Sequence, residues 1–460
     1  MLRGSCPAEP FARAVAIFFA LVVLALGMAA LVSAPLSFDG AFFLFRVLDT
    51  QRFAADHGRI INIPLQLPVL AAAHFTQNMD LLRLTFSAAY AAIPLLGLAL
   101  SWLVCKSRRP SLFIWPAMSI CIAGLPGQFF FQSETIMVVT LLWPALLVVL
   151  VGGSATVLTL VAIASIAAAW SHPYAAIVLA FTIVVAMLSG IARRQSLRAS
   201  LGFAIPLGAL LLARILTPMD PYEVHAASFN TIATSFNDSV VGWPLLAIAL
   251  ATVAAVTCLL PARSRSRTFL MAPLCLAGTA MVAWAIRPAN WAACSDYRFW
   301  VAPISLLFMS GAAVEELSPR KSSEPTLQGI RLYAVPLLGA IFFVVLSIQS
   351  LEWGLGSRRL VNDLVNSGSG CISRKTVASI RDTALDDWPV TVYAIELQGR
   401  KPKTLLLPNA LTCQLFALNG DAIVVDLAAF KYVRRLGKGW FDFEDARSRT
   451  RKPSFGTPIR

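Results

Sequence analysis

Apolar positions in this chain come in long, nearly unbroken runs, and the polar positions between them are few and clustered. Inside a run that is apolar on every side, periodicity carries little information, so length decides. A bilayer core roughly 30 Å thick takes about 20 residues of helix. On that measure about eleven stretches read as transmembrane helices: 11–34, 81–105, 112–125, 136–151, 155–170, 175–191, 201–216, 243–260, 269–286, 300–314 and 332–348. The predicted class is an α-helical integral membrane protein. The first stretch ends near small residues, Leu31-Val-Ser-Ala34, that a signal peptidase could cut, but its apolar run is longer than a usual signal core, so an uncleaved helix is expected.

The connections alternate in character. Every second one is basic: Lys106, Arg108 and Arg109; Arg193 and Arg194; Arg263, Arg265 and Arg267; then Arg320, Lys321 and Arg331. Lys and Arg resist translocation, so these loops belong on the cytoplasmic side. The N-terminus is then cytoplasmic, everything after 348 is extracytoplasmic, and the intervening outer loops carry most of the Asp, Glu and His. A bacterial inner (plasma) membrane is the expected location.

Two regions stand apart from the spans. The first outer loop, 37–80, is the longest inside the membrane region 1–350. Within it Phe42, Phe43, Phe45, Val47 and Leu48 form a broad apolar face, with Arg46, Asp49, Arg52 and Asp56 opposite, which predicts an amphipathic helix lying in the membrane interface. The segment 60–74 is apolar but broken by Pro64 and Pro68, so a second interfacial or re-entrant helix is expected there. After the last span, hydropathy falls. Strand-like runs at 390–397, 404–407 and 422–427, separated by turn signals such as Asn419-Gly420, predict a small C-terminal extracytoplasmic α/β domain over 351–446. The basic tail 447–460 is expected to be disordered.

Composition agrees with the pattern: 57% of residues are hydrophobic and 13% charged, which excludes a soluble globular protein. The net charge of +14 is not a nucleic-acid signature, since much of it is the inside-positive bias and no basic stripe is interleaved with stacking aromatics. Cysteines show no metal spacing. Cys105, Cys121, Cys258 and Cys275 sit in or beside spans as packing residues. Cys294, Cys371 and Cys413 fall outside, where disulfides are permitted, and Cys371 with Cys413 is one pairing this allows.

Candidate chemistry gathers on the outer side. Asp39, just after the first span, sits where a partly desolvated carboxylate can act as a general base, or where it can simply stabilise a helix start. Glu134 and His172 lie in the next outer loops, His172 as a lone histidine that could equally be structural. Asp220, Glu223 and His225 share a fourth loop without a metal-binding arrangement. Arg298 enters a span from the outer surface and Arg214 lies near a span's outer end. An arginine there needs an anionic partner or snorkels to the interface, and its fork suits phosphate.

This layout resembles the GT-C superfamily of polytopic glycosyltransferases. An acidic residue follows the first span, a long first outer loop holds two interfacial helices, polar loops line one side, and an outer domain ends the chain. The run Tyr297-Arg-Phe-Trp-Val-Ala-Pro303 is similar to an Arg-aromatic-Pro pattern found late in several such families. The resemblance implies transfer of a sugar from a polyprenyl-phosphate donor to an extracytoplasmic glycan or lipid acceptor, with membrane lipid around it. Asp39 would be the catalytic base, and Arg298, with Arg214, His172 and Glu134, would bind the donor. The acidic pair familiar in the superfamily is absent, since Gly40 and Ala41 follow Asp39. No metal site is implied and a divalent cation is only an option. The alternatives are a lipid-linked glycan polymerase or ligase, a multi-pass transporter, and a membrane scaffold or sensor.

Overall fold

A computed structural model describes residues 8–37, 39–55, 59–125, 133–192, 197–218, 298–317, 325–368, 370–380, 389–407 and 440–451, with Val224, Leu385 and Cys413. Every predicted span within them is helical. They form α1 (Ala8–Leu31), α4 (Met79–Cys105), α5 (Ile114–Gly124), α6 (Glu134–Val151), α7 (Ala155–Ala169), α8 (Ala175–Ala192), α9 (Leu197–Leu216), α10 (Arg298–Leu317) and α11 (Pro325–Asn366). The stretches 243–260 and 269–286 lie outside the described residues. Among the described residues four helical segments are long and apolar enough to cross a membrane: Glu9–Leu31, Met79–Cys105, Glu134–Val151 and Arg331–Asn366. Several of the others are apolar but shorter. The protein is thus a mostly helical one of membrane type, with four rather than eleven helices of spanning length among the described residues.

The chain divides into two compact units. The first comprises residues 1–27, 55–61 and 91–347. Its centre is α6, whose every residue is buried. A helix apolar on all sides can only be a core helix or a lipid-facing one, and here protein surrounds it: α5, α7, α8 and α10 all pack within this unit. Close approach relies on a glycine, Gly311 of α10, where a Cβ would fall 2.5 Å from the Trp115 ring. Buried charges are paired. Glu315 accepts from both terminal nitrogens of Arg331 at 2.7 Å and from the Trp115 indole at 2.8 Å. Arg59 donates to Glu134 at 2.8 Å. Cys105 and Cys121 are buried and unbridged.

The second unit comprises residues 28–54, 62–90 and 348–460. It joins the first outer loop and the start of α4 to the C-terminal region. The loop contains α2 (Asp39–Thr50) and α3 (Asn62–Phe75). Protein covers Phe42, Phe43, Phe45, Val47 and Leu48 of α2, which the sequence assigned to the bilayer interface. Phe45 stacks on Phe441 with ring centroids 5.0 Å apart. Gln66 of α3 bonds both the N–H and the C=O of Ala54, at 2.8 and 3.0 Å, so the loop's two halves are tied together.

The run 390–397 is not a strand but a helix, α12 (Val390–Gln398). β-Branched composition argued for a strand, but residues 390–396 are all buried, and burial outweighs a propensity worth only tenths of a kcal/mol. Pro389 precedes the helix and Gly399, at φ +87°, closes it, the usual asymmetry of helix ends. The strands are β1 (Cys371–Ser373) and β2 (Leu405–Leu407), paired in parallel with Cys371 opposite Leu405. Parallel neighbours need a crossover connection, and α12 supplies it. The side-chain amide of Gln398 accepts from the backbone of Lys403 and Thr404 and donates to Thr404 O at 2.6 Å, locking the turn into β2. A disulfide joins Cys371 to Cys413. A short helix, α13 (Glu444–Arg451), occupies the start of the region expected to be disordered. The strand expected at 422–427 lies outside the described residues.

Candidate functional site

Asp39 opens α2 and belongs to the second unit, while Glu134, His172, Arg214 and Arg298 belong to the first. Asp39 is half-buried in the first turn of its helix, where a carboxylate is favoured by the helix dipole. Glu134 is buried and ion-paired to Arg59, so its charge is already compensated inside the protein. The Nδ1 of His172 accepts from the Tyr174 backbone N–H at 3.2 Å, a local loop contact. Arg214 is buried in the last turn of α9, and Arg298 is the first residue of α10. Asp56, Asp220, Glu223 and His225 lie outside the described residues. Among the described residues no three His, Cys, Asp or Glu side chains group to hold a metal.

A cavity among the described residues lies wholly within the second unit and involves residues the sequence did not single out. It encloses about 490 Å³, within the usual range for small-molecule sites. Its walls come from the end of α1 (Leu31, Val32, Ser33), from Arg83 of α4, from α11, and from Tyr393 and Leu397 of α12. The α11 wall carries a stripe, Leu351, Leu355, Arg358 and Asn362, at helical spacing along one face. Over about 16 Å of rise that stripe passes from apolar to cationic and polar. Leu31, Leu351 and Leu355 are exposed and lie on helices of membrane-spanning length, and Arg358 and Asn362 are exposed further along α11. The α11 helix makes this possible by running on well past the end of its apolar run, to Asn366.

No protein-family model, no curated protein and no solved structure matches this chain.

The cavity's backbone is strained at one point. Ser33 is buried with φ +60°, a left-handed conformation that costs a non-glycine residue of order 1 kcal/mol and that turns the chain at the end of α1. Its polar wall is tightly bonded at another. Ser357 donates to the Trp353 carbonyl at 2.8 Å, which uses its only proton, so the Tyr393 hydroxyl 2.7 Å away must donate to Ser357. Burial raises the pKa of Tyr393 to about 12, against the opposing influence of Arg83 and the Ser357 bond, so the phenol stays neutral.

Arg83 is half-buried. It pairs with Asp80, whose side chain is largely in water, and its Nε has no hydrogen-bond partner among the described residues. One turn beyond Tyr393 lies Glu396, fully buried. Burial holds the Glu396 carboxyl well above the usual carboxylate range, and the nearby Arg83 guanidinium and Phe45 backbone N–H offset this only in part. A strand would have sent Tyr393 and Glu396 to opposite faces; the helix places them three residues apart on one face, and both sense Arg83. The sequence signals that could have found this site were Arg83 just inside a span, the Arg358-Arg359 pair soon after one, and the Pro389/Gly399 brackets around a run misread as a strand.

Proposed function

We propose that this protein is a membrane glycosyltransferase that takes a sugar from a polyprenyl-phosphate donor and passes it to an extracytoplasmic acceptor. The observation that carries the reading is the graded cavity: an apolar wall at the ends of membrane-length helices, continuous with Arg83 and Arg358. A ligand with an apolar tail and an anionic head matches it. Guanidinium forks suit a phosphate through paired, charge-assisted bonds, and Arg83, being partly desolvated, gives the stronger contact.

In this reading an acceptor hydroxyl attacks the anomeric carbon. The bond from that carbon to the phosphate oxygen breaks, its electron pair leaves with the phosphate, and the hydroxyl proton passes to Asp39. Arg83 and Arg358 bind the charge that grows on the departing phosphate, an interaction strongest at the transition state. The Cys371–Cys413 disulfide supports an oxidising, extracytoplasmic setting for the unit that holds the cavity, as does the alternation of basic loops.

The test is sugar transfer by the purified protein from a panel of polyprenyl-phosphate sugars, with release of free carrier phosphate as readout. Wild type is expected to turn over one of them, and Asp39→Asn to lose activity by about 100-fold or more while still binding donor. Full activity in Asp39→Asn would remove Asp39 as base. A second reading rests on the place of Asp39 in the first turn of α2, where it can act as a helix stabiliser alone. The protein would then bind the lipid phosphate without chemistry, and donor would bind without turnover.

A further inference from the structure

Arg83 serves two anionic positions. It lines the cavity, and it is the charge that acts on the buried Glu396 carboxyl. The Glu396 side chain has no access to water, and among the described residues neither of its oxygens has a side-chain hydrogen-bond partner, with the Phe45 backbone N–H beside the carboxyl. Such a group is stable only as the neutral acid unless a cation is committed to it. The elements around α12 set this balance. Helix α4 brings Arg83, α2 brings the Phe45 amide and carries Asp39, Arg46 and Asp49, α11 carries Glu352, Arg358, Arg359 and Asp363, α12 itself brings the neutral Tyr393 phenol, and β2 brings only Leu405, Leu406 and Leu407. Asp80, the ion-pair partner of Arg83, is exposed and competes little.

We infer that Glu396 makes anion binding in this cavity proton-linked: a neutral Glu396 leaves Arg83 to the ligand, and an ionised Glu396 competes with the ligand for it. The inference rests on the reading of the cavity as an anion site and adds its regulation. Two negative charges cannot share one partly desolvated guanidinium without repelling each other, so ligand and proton bind with positive cooperativity. Below the pKa of Glu396 in the unliganded protein, the Kd for an anion is constant. Above it, each bound anion draws one proton from solution, and Kd rises by up to about tenfold per pH unit. A site so built holds a lipid phosphate more firmly on an acidic surface than on an alkaline one.

The probe is methyl dodecyl phosphate, a phosphodiester whose single charge is constant over the working range. Its binding to the detergent-solubilised full-length protein is followed by calorimetry from about pH 5.5 to about pH 9.5, in buffers of differing ionisation enthalpy. Wild type is expected to show a flat Kd that then climbs with pH, with proton uptake on the climbing limb. Glu396→Gln, which copies the neutral acid, is expected to keep the low-pH affinity throughout and to take up no proton. Saturable binding that is independent of pH, or a Glu396→Gln variant that keeps the wild-type slope, would overturn the proton link and leave the anion site standing. No saturable binding at any pH would overturn the anion site and the link with it. Dimethyl phosphate, the same head without a tail, is expected to bind at least about 100-fold more weakly, because it forgoes the apolar wall. Equal affinity would overturn the lipid part of the proposed function, and the link would then be decided by the same pH curves.

Discussion

Glu396 is buried as a carboxyl whose proton is held more tightly in the fold than in the unfolded chain. The sign follows from linkage. Below about pH 4.3 both states are protonated and the contribution to stability is complete. As pH rises, the unfolded chain ionises first, and stability falls by up to about 1.4 kcal/mol per pH unit until the folded pKa is passed. The thermal midpoint of Glu396→Gln relative to wild type should therefore increase from mildly acidic to alkaline pH. A difference that stays constant would show that Glu396 is not buried as the neutral acid. The Arg59–Glu134 pair makes the opposite kind of prediction. Both side chains are buried, so Glu134→Leu alone strands a guanidinium and should cost about 3–5 kcal/mol, while adding Arg59→Met should recover most of it. Denaturation of the two variants checks this. Of these residues the sequence pointed only to Glu134, as an outer-loop carboxylate expected at the donor site rather than in a buried ion pair. Its partner lies 75 positions away in the chain, and no local pattern connects them.

At the level of elements, α12 shows where local composition misleads. Val390, Val392 and Ile395 favour a strand, yet the residue brackets Pro389 and Gly399 are helix signals, and burial on all sides decided between them. Gly399 at φ +87° carries a specific expectation: Gly399→Ala should destabilise the protein by about 1 kcal/mol, seen as a lowered thermal midpoint, because an L side chain is strained there. In the other unit Gly311→Ala should cost about 1–3 kcal/mol, since its Cβ would meet the Trp115 ring and neither can give way cheaply. A small effect would mean the two helices can part. The apolar helices, by contrast, were legible as elements, because a long apolar run has no other way to satisfy its backbone in hydrocarbon, but their ends were not: α11 runs to Asn366, well past the expected end at 348.

Across the whole molecule, the alternation of basic loops predicts an orientation that can be measured. A cysteine introduced at Lys401, beside the β1–β2 sheet, should react with a membrane-impermeant thiol reagent on intact cells. One introduced at Lys106 should react only after the membrane is opened. The reverse pattern would invert the proposed topology and place the cavity on the cytoplasmic side. Membrane class and the positions of the apolar helices were set by the sequence alone, because hydrophobic length and charge asymmetry are properties of contiguous residues and need no long-range contact. Tertiary structure alone decided which residues share a site. Ser33, Arg83, Arg358 and Tyr393 come from distant parts of the chain, and the first outer loop and the C-terminal region form one unit although some 260 residues separate them. Packing brings such residues together through burial and shape, and neither is written in the order of the residues.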